Sequence, residues 1–387
     1  MPISLSHPVS ERVCDWRRRA RKLAEELVAG GAIADPAWED AFAATPRHVF
    51  VPRFFDGDQE VTDDAGDRWL DAVYADAALL TARLHATGYD GTLPTSSSSR
   101  PRIMAIMLDR LDVHAGMRVL EIGTGTGYNA ALLCHRLGDS SIATVDIDPE
   151  LTNSAAVRLG KLGYHPTIVA ADGAEGLPAA APYDRVLATC AITHIPPEWI
   201  RQLADGGRIV APFAGDAGAL AVLTKTAPDE VTGRIDPEPA LFMPLRPRIE
   251  DPLGPGESIA NTWPGMAHYG TTKIPAALLA DAGPDLLFWL QLHRPGLRIG
   301  TSDRDGLVVH TADAMAQVAA TPIDGLWPVT QRGPCRIWDT IESAVATWEL
   351  LDRPERSRLG ISALDDVDRQ YAWLDDPDGA YSWPLPL

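Results

Sequence analysis

Residues 119–129 read Val119-Leu120-Glu121-Ile122-Gly123-Thr124-Gly125-Thr126-Gly127-Tyr128-Asn129, an apolar run broken by three alternate glycines. A helical pattern follows through Leu137. Little else in the chain constrains the fold as tightly. A short continuous apolar run is a strand buried on both faces. Glycines let the backbone take positive φ and come close to a ligand. The helix that starts there offers unpaired N–H groups and a positive dipole end.

The pattern repeats downstream. Apolar runs at Met117–Ile122, Ile142–Ile147, Thr167–Ala171, Asp184–Cys190 and Arg208–Pro212 predict strands. Gly127–Leu137 and Pro149–Leu162 predict helices between the first three. Such alternation argues an α/β domain with a parallel sheet covered on both faces. Ala219–Lys225, Val231–Ile235 and Ala240–Leu245 read as antiparallel strands that finish the sheet.

Upstream, residues 10–30 form an amphipathic helix ended by Gly30-Gly31, and Asp35-Pro36 caps a short one through Ala43. Pro46–Pro52 reads as extended, and 70–86 as helical. The Gly/Pro/Ser-rich residues 88–101 read either as a linker or as a polar loop opening the apolar helix after Pro101. Beyond about 249 the sequence turns proline- and glycine-rich and then holds seven of the eleven tryptophans, with one clear helix at Ile337–Leu351. Clustered tryptophan implies a small-domain core, or else an aromatic peptide-binding surface.

The formal net charge of −19 across 387 residues argues against a nucleic-acid binder. Four scattered cysteines, without metal spacing, suit a reducing cytoplasm, and no apolar run is long enough for a signal peptide or a membrane span. The expected location is cytoplasmic, with no metal, membrane or nucleic-acid partner.

An acid after the second strand, Asp146, is placed to accept hydrogen bonds from ribose hydroxyls. The spacing lacks the third glycine of a dinucleotide site, because Tyr128 stands there. Glu121 is badly placed for a pyrophosphate and well placed for the ammonium and sulfonium end of S-adenosylmethionine. The candidate cofactor residues are therefore Glu121, Gly123, Gly125, Gly127, Asp146, Ile147, Asp172 and Gly173.

Over residues 10–248 the chain resembles the protein-L-isoaspartate O-methyltransferase family. Pro46-Arg47-His48-Val49-Phe50-Val51-Pro52 resembles an upstream segment of that family. Val119–Tyr128 resembles its first cofactor motif, Val145–Leu151 its ribose turn, and Ala171-Asp172-Gly173 its adenine turn. Pro196-Pro197 and Gly206–Pro212 match its fourth and fifth strand regions. The resemblance implies a doubly wound, mixed, seven-stranded Rossmann-like methyltransferase sheet with N-terminal helices and a smaller C-terminal domain. It divides the chain at 248: N-terminal helices to 100, a cofactor core over 101–248, and an accessory domain over 249–387.

The family's Thr-x-Ser-x-Pro loop becomes Ser97-Ser98-Ser99-Arg100-Pro101 here. That alignment makes Ser99, Ser97 and Arg100 the candidate catalytic residues, with Ser99 on the substrate carboxylate and Arg100 as a bidentate carboxylate clamp. Thr193-His194 departs from the family's pattern, and His194 reads as a pocket-rim residue or a general base.

The resemblance implies methyl transfer to a side-chain carboxylate. The extension of about 140 residues favours one defined aspartate in a ribosomally made peptide, whose ester closes to an aspartimide and hydrolyses to isoaspartate. General isoaspartate repair is the first alternative. A small-molecule methyltransferase and a non-catalytic S-adenosylmethionine-binding protein are the others.

Overall fold

A computed structural model describes residues 9–85, 92–213, 217–247, 266–302 and 306–385. Trp263 and the proline-rich stretch around it lie outside them, as do residues 88–91 of the expected linker. The chain forms two compact units that part between Leu187 and Ala188.

The first unit contains α1 (Val9–Ala29), α2 (Pro36–Ala44), α3 (Arg47–Phe50), β1 (Arg53–Asp56), β2 (Gln59–Thr62), α4 (Asp67–Val73), β3 (Leu79–His85) and β4 (Thr92–Ser98). It continues with α5 (Pro101–Leu111), β5 (Val119–Ile122), α6 (Tyr128–Leu137), β6 (Ile142–Asp146), α7 (Pro149–Gly160), β7 (Thr167–Ala170) and β8 (Tyr183–Ala188). Strands run in the order β8-β5-β6-β7, and β5–β6 and β6–β7 pair in parallel. Every residue of β5 and β6 is buried, as continuous apolar runs require. The order reverses between β8 and β5, so a crevice for a ligand opens at the carboxyl ends of these strands.

Local chemistry sets the helix ends. The Asp148 side chain accepts a hydrogen bond from Glu150 N, and Pro149 sits in the first turn of α7. Pro101 opens α5, which buries Met104, Met107, Leu108 and Leu111. In α1, Ala20, Leu23, Ala24 and Leu27 are buried, while Arg17, Arg18, Arg21 and Lys22 lie exposed on the opposite side.

Three local expectations change in this unit. Pro46–Pro52 is not extended: Pro46 is the N-cap of the one-turn helix α3. Residues 70–86 are not one helix, because α4 ends at Val73 and β3 follows. The serine-rich stretch is strand β4, antiparallel to β3 with irregular register around Ala82. With β1 and β2 it completes a four-stranded sheet in the order β2-β1-β3-β4.

The second unit contains α8 (Pro197–Gln202), β9 (Leu203–Phe213), β10 (Ala219–Ala227), β11 (Glu230–Asp236), β12 (His268–Thr272), α9 (Ala276–Ala280), α10 (Pro284–His293), β13 (Arg298–Ser302), β14 (Gly306–His310), β15 (Met315–Val318), β16 (Trp327–Arg332), α11 (Ile337–Leu350), β17 (Leu359–Leu364), β18 (Gln370–Leu374) and β19 (Ser382–Pro384). Its strands β9-β10-β11-β17-β18-β19 pair antiparallel throughout. A separate five-stranded antiparallel sheet runs β12-β16-β15-β14-β13. Residues 240–245 form no strand; a single parallel bridge joins Pro244 to Ala191. Trp289, Trp338 and Trp373 are buried, and the Trp289 indole donates to the Ala344 carbonyl at 2.8 Å. These three are core residues of this unit.

Candidate active site

The glycine turn after β5 is tied to the next strand. Gly123 N and Thr124 N both donate to the Val145 carbonyl, at 2.8 and 3.2 Å. Gly123, Gly125 and Gly127 all have positive φ, at 97°, 50° and 86°. A Cβ on Gly127 would stand 3.0 Å from the Ala155 Cβ and 3.6 Å from the Phe50 ring, so space and conformation both demand glycine there.

Asp146 closes β6 beside this turn. Its Oδ2 accepts from Gly125 N at 2.8 Å and its Oδ1 from Asp148 N at 3.1 Å. Ile147 follows, half-buried. The end of β7 is drawn alongside, since Ala171 N donates to the Asp146 carbonyl at 2.9 Å. Asp172 then caps the next turn by accepting from Ala174 N at 2.9 Å, and Gly173 is buried in it. The structure thus brings Gly123, Gly125, Gly127, Asp146, Ile147, Asp172 and Gly173 to one end of the parallel strands.

Glu121 behaves differently from expectation. It is fully buried, its Oε1 accepting from Asn129 Nδ2 at 2.7 Å and its Oε2 from the Thr144 hydroxyl at 2.6 Å. Thr144 also meets the Thr124 hydroxyl at 2.7 Å. Burial pushes the carboxyl pKa up to about 7, against the pull of these two donors. Glu121 is thus a buried carboxyl that ties β5 to Asn129 of α6 and Thr144 of β6.

The serine segment lies against the same turn. A Cβ built on Gly125 would stand 3.7 Å from the Ser97 carbonyl oxygen and 4.0 Å from the Ser96 hydroxyl. Ser96 and Ser98 are buried, whereas Ser97 and Ser99 are half-buried. Arg100 is not a free carboxylate clamp. Its guanidinium is already paired with Asp76, at 2.7 Å from Nη2 and 2.9 Å from Nε. The other Asp76 oxygen accepts from Arg102 N at 2.8 Å, so this pair fixes the entry to α5.

The sequence reading assigned no role to Arg47. It is fully buried and donates to Val73, Ala75, Ala77, Ser98 and Ser99. Its signal was an arginine inside an otherwise apolar, proline-bounded segment, a position such a residue occupies only when its donors are satisfied. Next to it, His48 Nδ1 lies 2.8 Å from the Tyr74 hydroxyl, and burial depresses the His48 pKa to about 4. Thr144 was also missed, although a lone hydroxyl inside the apolar run Ile142–Asp146 is the mark of an internal hydrogen bond. His194 lies in the second unit, where its Nδ1 is 3.3 Å from the Thr193 hydroxyl.

Residues 18–250 match the family model described as protein-L-isoaspartate(D-aspartate) O-methyltransferase. A protein-L-isoaspartate O-methyltransferase of Anaeromyxobacter sp. is 32% identical over 243 residues, covering 62% of this chain and 88% of the relative. One from Picosynechococcus sp. is 36% identical over 214 residues, covering 54% and 83%. A solved structure described as a protein-L-isoaspartate O-methyltransferase aligns with a TM-score of 0.53 at 20% identity, covering 92% of this chain and 99% of its own. That coverage reaches far beyond residue 250. The fold of the extension therefore has a counterpart in a solved structure.

Proposed function

The chain belongs to the protein-L-isoaspartate O-methyltransferase family and is an S-adenosylmethionine-dependent protein carboxyl methyltransferase; from that premise we propose that its acceptor is the free α-carboxylate of an isoaspartyl residue in peptides and proteins. The observation that carries this reading is the packing of the Ser97 backbone against Gly125. The glycine turn and the serine-bearing end of β4 pack against one another.

The residues present fit the cofactor. The turn Gly123–Gly127 gives room for close backbone approach, Asp146 with Ile147 suits the ribose, and Asp172 with Gly173 suits the adenine. Gly125 N bonds the Asp146 carboxylate, so the glycine turn and the candidate ribose acceptor are held side by side. When bound, S-adenosylmethionine supplies an electrophilic methyl group.

The chain's own part is orientation. A carboxylate is already deprotonated at neutral pH, so no general base is needed. Ser99, with Ser97, offers hydroxyl donors that fix the attacking oxygen. Alignment of reacting atoms can contribute on the order of 7–11 kcal/mol to such a transfer, and a site that excludes water favours a step in which opposite charges vanish.

Two peptides of identical sequence, one with isoaspartate and one with aspartate, test the acceptor. Methylation of the isoaspartyl peptide alone is expected. Transfer only to an ordinary aspartate, for instance in a peptide encoded beside the gene, would overturn the assignment in favour of peptide tailoring. Ser99→Ala is expected to slow transfer while leaving cofactor affinity intact, and Asp146→Ala to weaken that affinity by calorimetry.

A further inference from the structure

Arg47 is an expensive residue to bury. A guanidinium removed from water costs several kcal/mol unless its donors are satisfied. Here five N–H groups face six acceptors. They are the carbonyls of Val73 (2.8 Å), Ala75 (3.1 Å), Ala77 (3.1 Å), Ser98 (3.3 Å) and Ser99 (3.0 Å), and the Ser98 hydroxyl (3.2 Å). None of these is a carboxylate. Burial lowers its pKa only to about 10, so it stays charged at neutral pH.

The acceptors fall on two segments far apart in sequence: the end of α4 with the connection after it, and the end of β4 where the candidate catalytic hydroxyls sit. The guanidinium carbon also lies 5.7 Å from the centre of the Tyr128 ring, within cation–π range. Tyr128 is the residue directly after Gly127, and its ring packs on Phe42 and Phe50. One side chain therefore touches both walls of the site, the serine segment through its carbonyls and the start of α6 through an aromatic face.

We propose that Arg47 is a positioning residue that sets the Ser97–Ser99 segment against the glycine turn, and so fixes the distance between acceptor oxygen and methyl donor. This rests on the methyl-transfer reading above. A lysine cannot replace it: one ammonium has three donors and no planar fork, so at least half of the six acceptors would be released.

The test uses the full-length protein, S-adenosylmethionine and an isoaspartyl peptide. Arg47→Lys is expected to lower the transfer rate at saturating substrates by about thirtyfold or more, as sub-ångström misplacement can. Its cofactor affinity should stay within about threefold of the wild type, because Phe42 and Phe50 still hold Tyr128. Combined with Ser99→Ala, the loss should be no greater than that of the slower single variant, since both changes remove one function. Ser98→Ala deletes a single acceptor and carries the same test if Arg47→Lys does not fold, with a several-fold loss that vanishes in the Ser99→Ala background. Additive losses, or an unchanged rate, overturn the role of Arg47 alone. A wild type inert towards the isoaspartyl peptide overturns the reaction and this role with it.

Discussion

Single residues hold the account's firmest physical commitments, and Glu121 is the clearest. Its folded pKa of about 7 stands above the ordinary value of 4.5. Between those values the folded state keeps a proton that the unfolded chain has released. Stability through this group is full below about pH 4.5 and is lost as pH rises through 7. The loss amounts to roughly 3 kcal/mol at most. His48 acts in the opposite sense: its depressed pKa costs stability as pH falls from 6.5 towards 4. The wild-type curve alone mixes the two. Denaturant titrations of wild type and Glu121→Gln from pH 5 to 8 separate them, and the amide variant should gain on the wild type steadily as pH rises. A constant difference would show that Glu121 is not buried as described. Legibility in the sequence followed the same line. Asp146 was readable because it ends an apolar strand. Asp76 was invisible as the partner of Arg100, because 24 residues separate them and no local pattern announces the pairing.

Elements were legible where one periodicity governed them. The buried strands β5 and β6 announce themselves as unbroken apolar runs, and α5 as a helix opened by a proline. Strand β4 was not legible. Thr92-Leu93-Pro94-Thr95-Ser96-Ser97-Ser98 has little apolar alternation, and its extended state comes from pairing with the preceding strand β3 and from Arg47, which is remote in sequence. The end of the helical reading over 70–86 failed for a related reason: β3 is set by the partners it finds. The extension shows how closely elements can be fitted. A Cβ on Gly360 of β17 would meet the Trp373 ring at 2.2 Å and the Gly233 carbonyl at 2.5 Å. Gly360→Ala should therefore cost about 3 kcal/mol or more, as overpacking in a buried sheet does. Gly270→Ala in β12, where nothing lies within 4 Å, should stay within about 0.5 kcal/mol. Equal urea midpoints for the two variants would contradict the packing of β17 on β18.

At the scale of the chain, the match to the family model stops at 250, yet the second unit is woven from both sides of that point. Strand β11 pairs with β17 over Glu230–Arg234, and the Gln370 side chain both accepts from Ile195 N at 2.8 Å and donates to the Ile195 carbonyl at 2.7 Å. The composition change near 248 falls where the match to the family model ends. The compact units part between Leu187 and Ala188, and the second takes in strands from both sides of residue 248 because β-pairing ignores sequence proximity. A net charge of −19 repels a carboxylate at long range, so capture of an anionic acceptor needs local donors, the role proposed for the serine hydroxyls. The most direct measurement is a single turnover with the methyl group of S-adenosylmethionine isotopically labelled and bound to the full-length protein before an isoaspartyl peptide is added. The label should pass to the peptide as an ester and leave as methanol when the ester closes to a succinimide. Label that remains on a tightly held cofactor, with the peptide unchanged, would contradict the claim that the serine segment and the glycine turn form one methyl-transfer site.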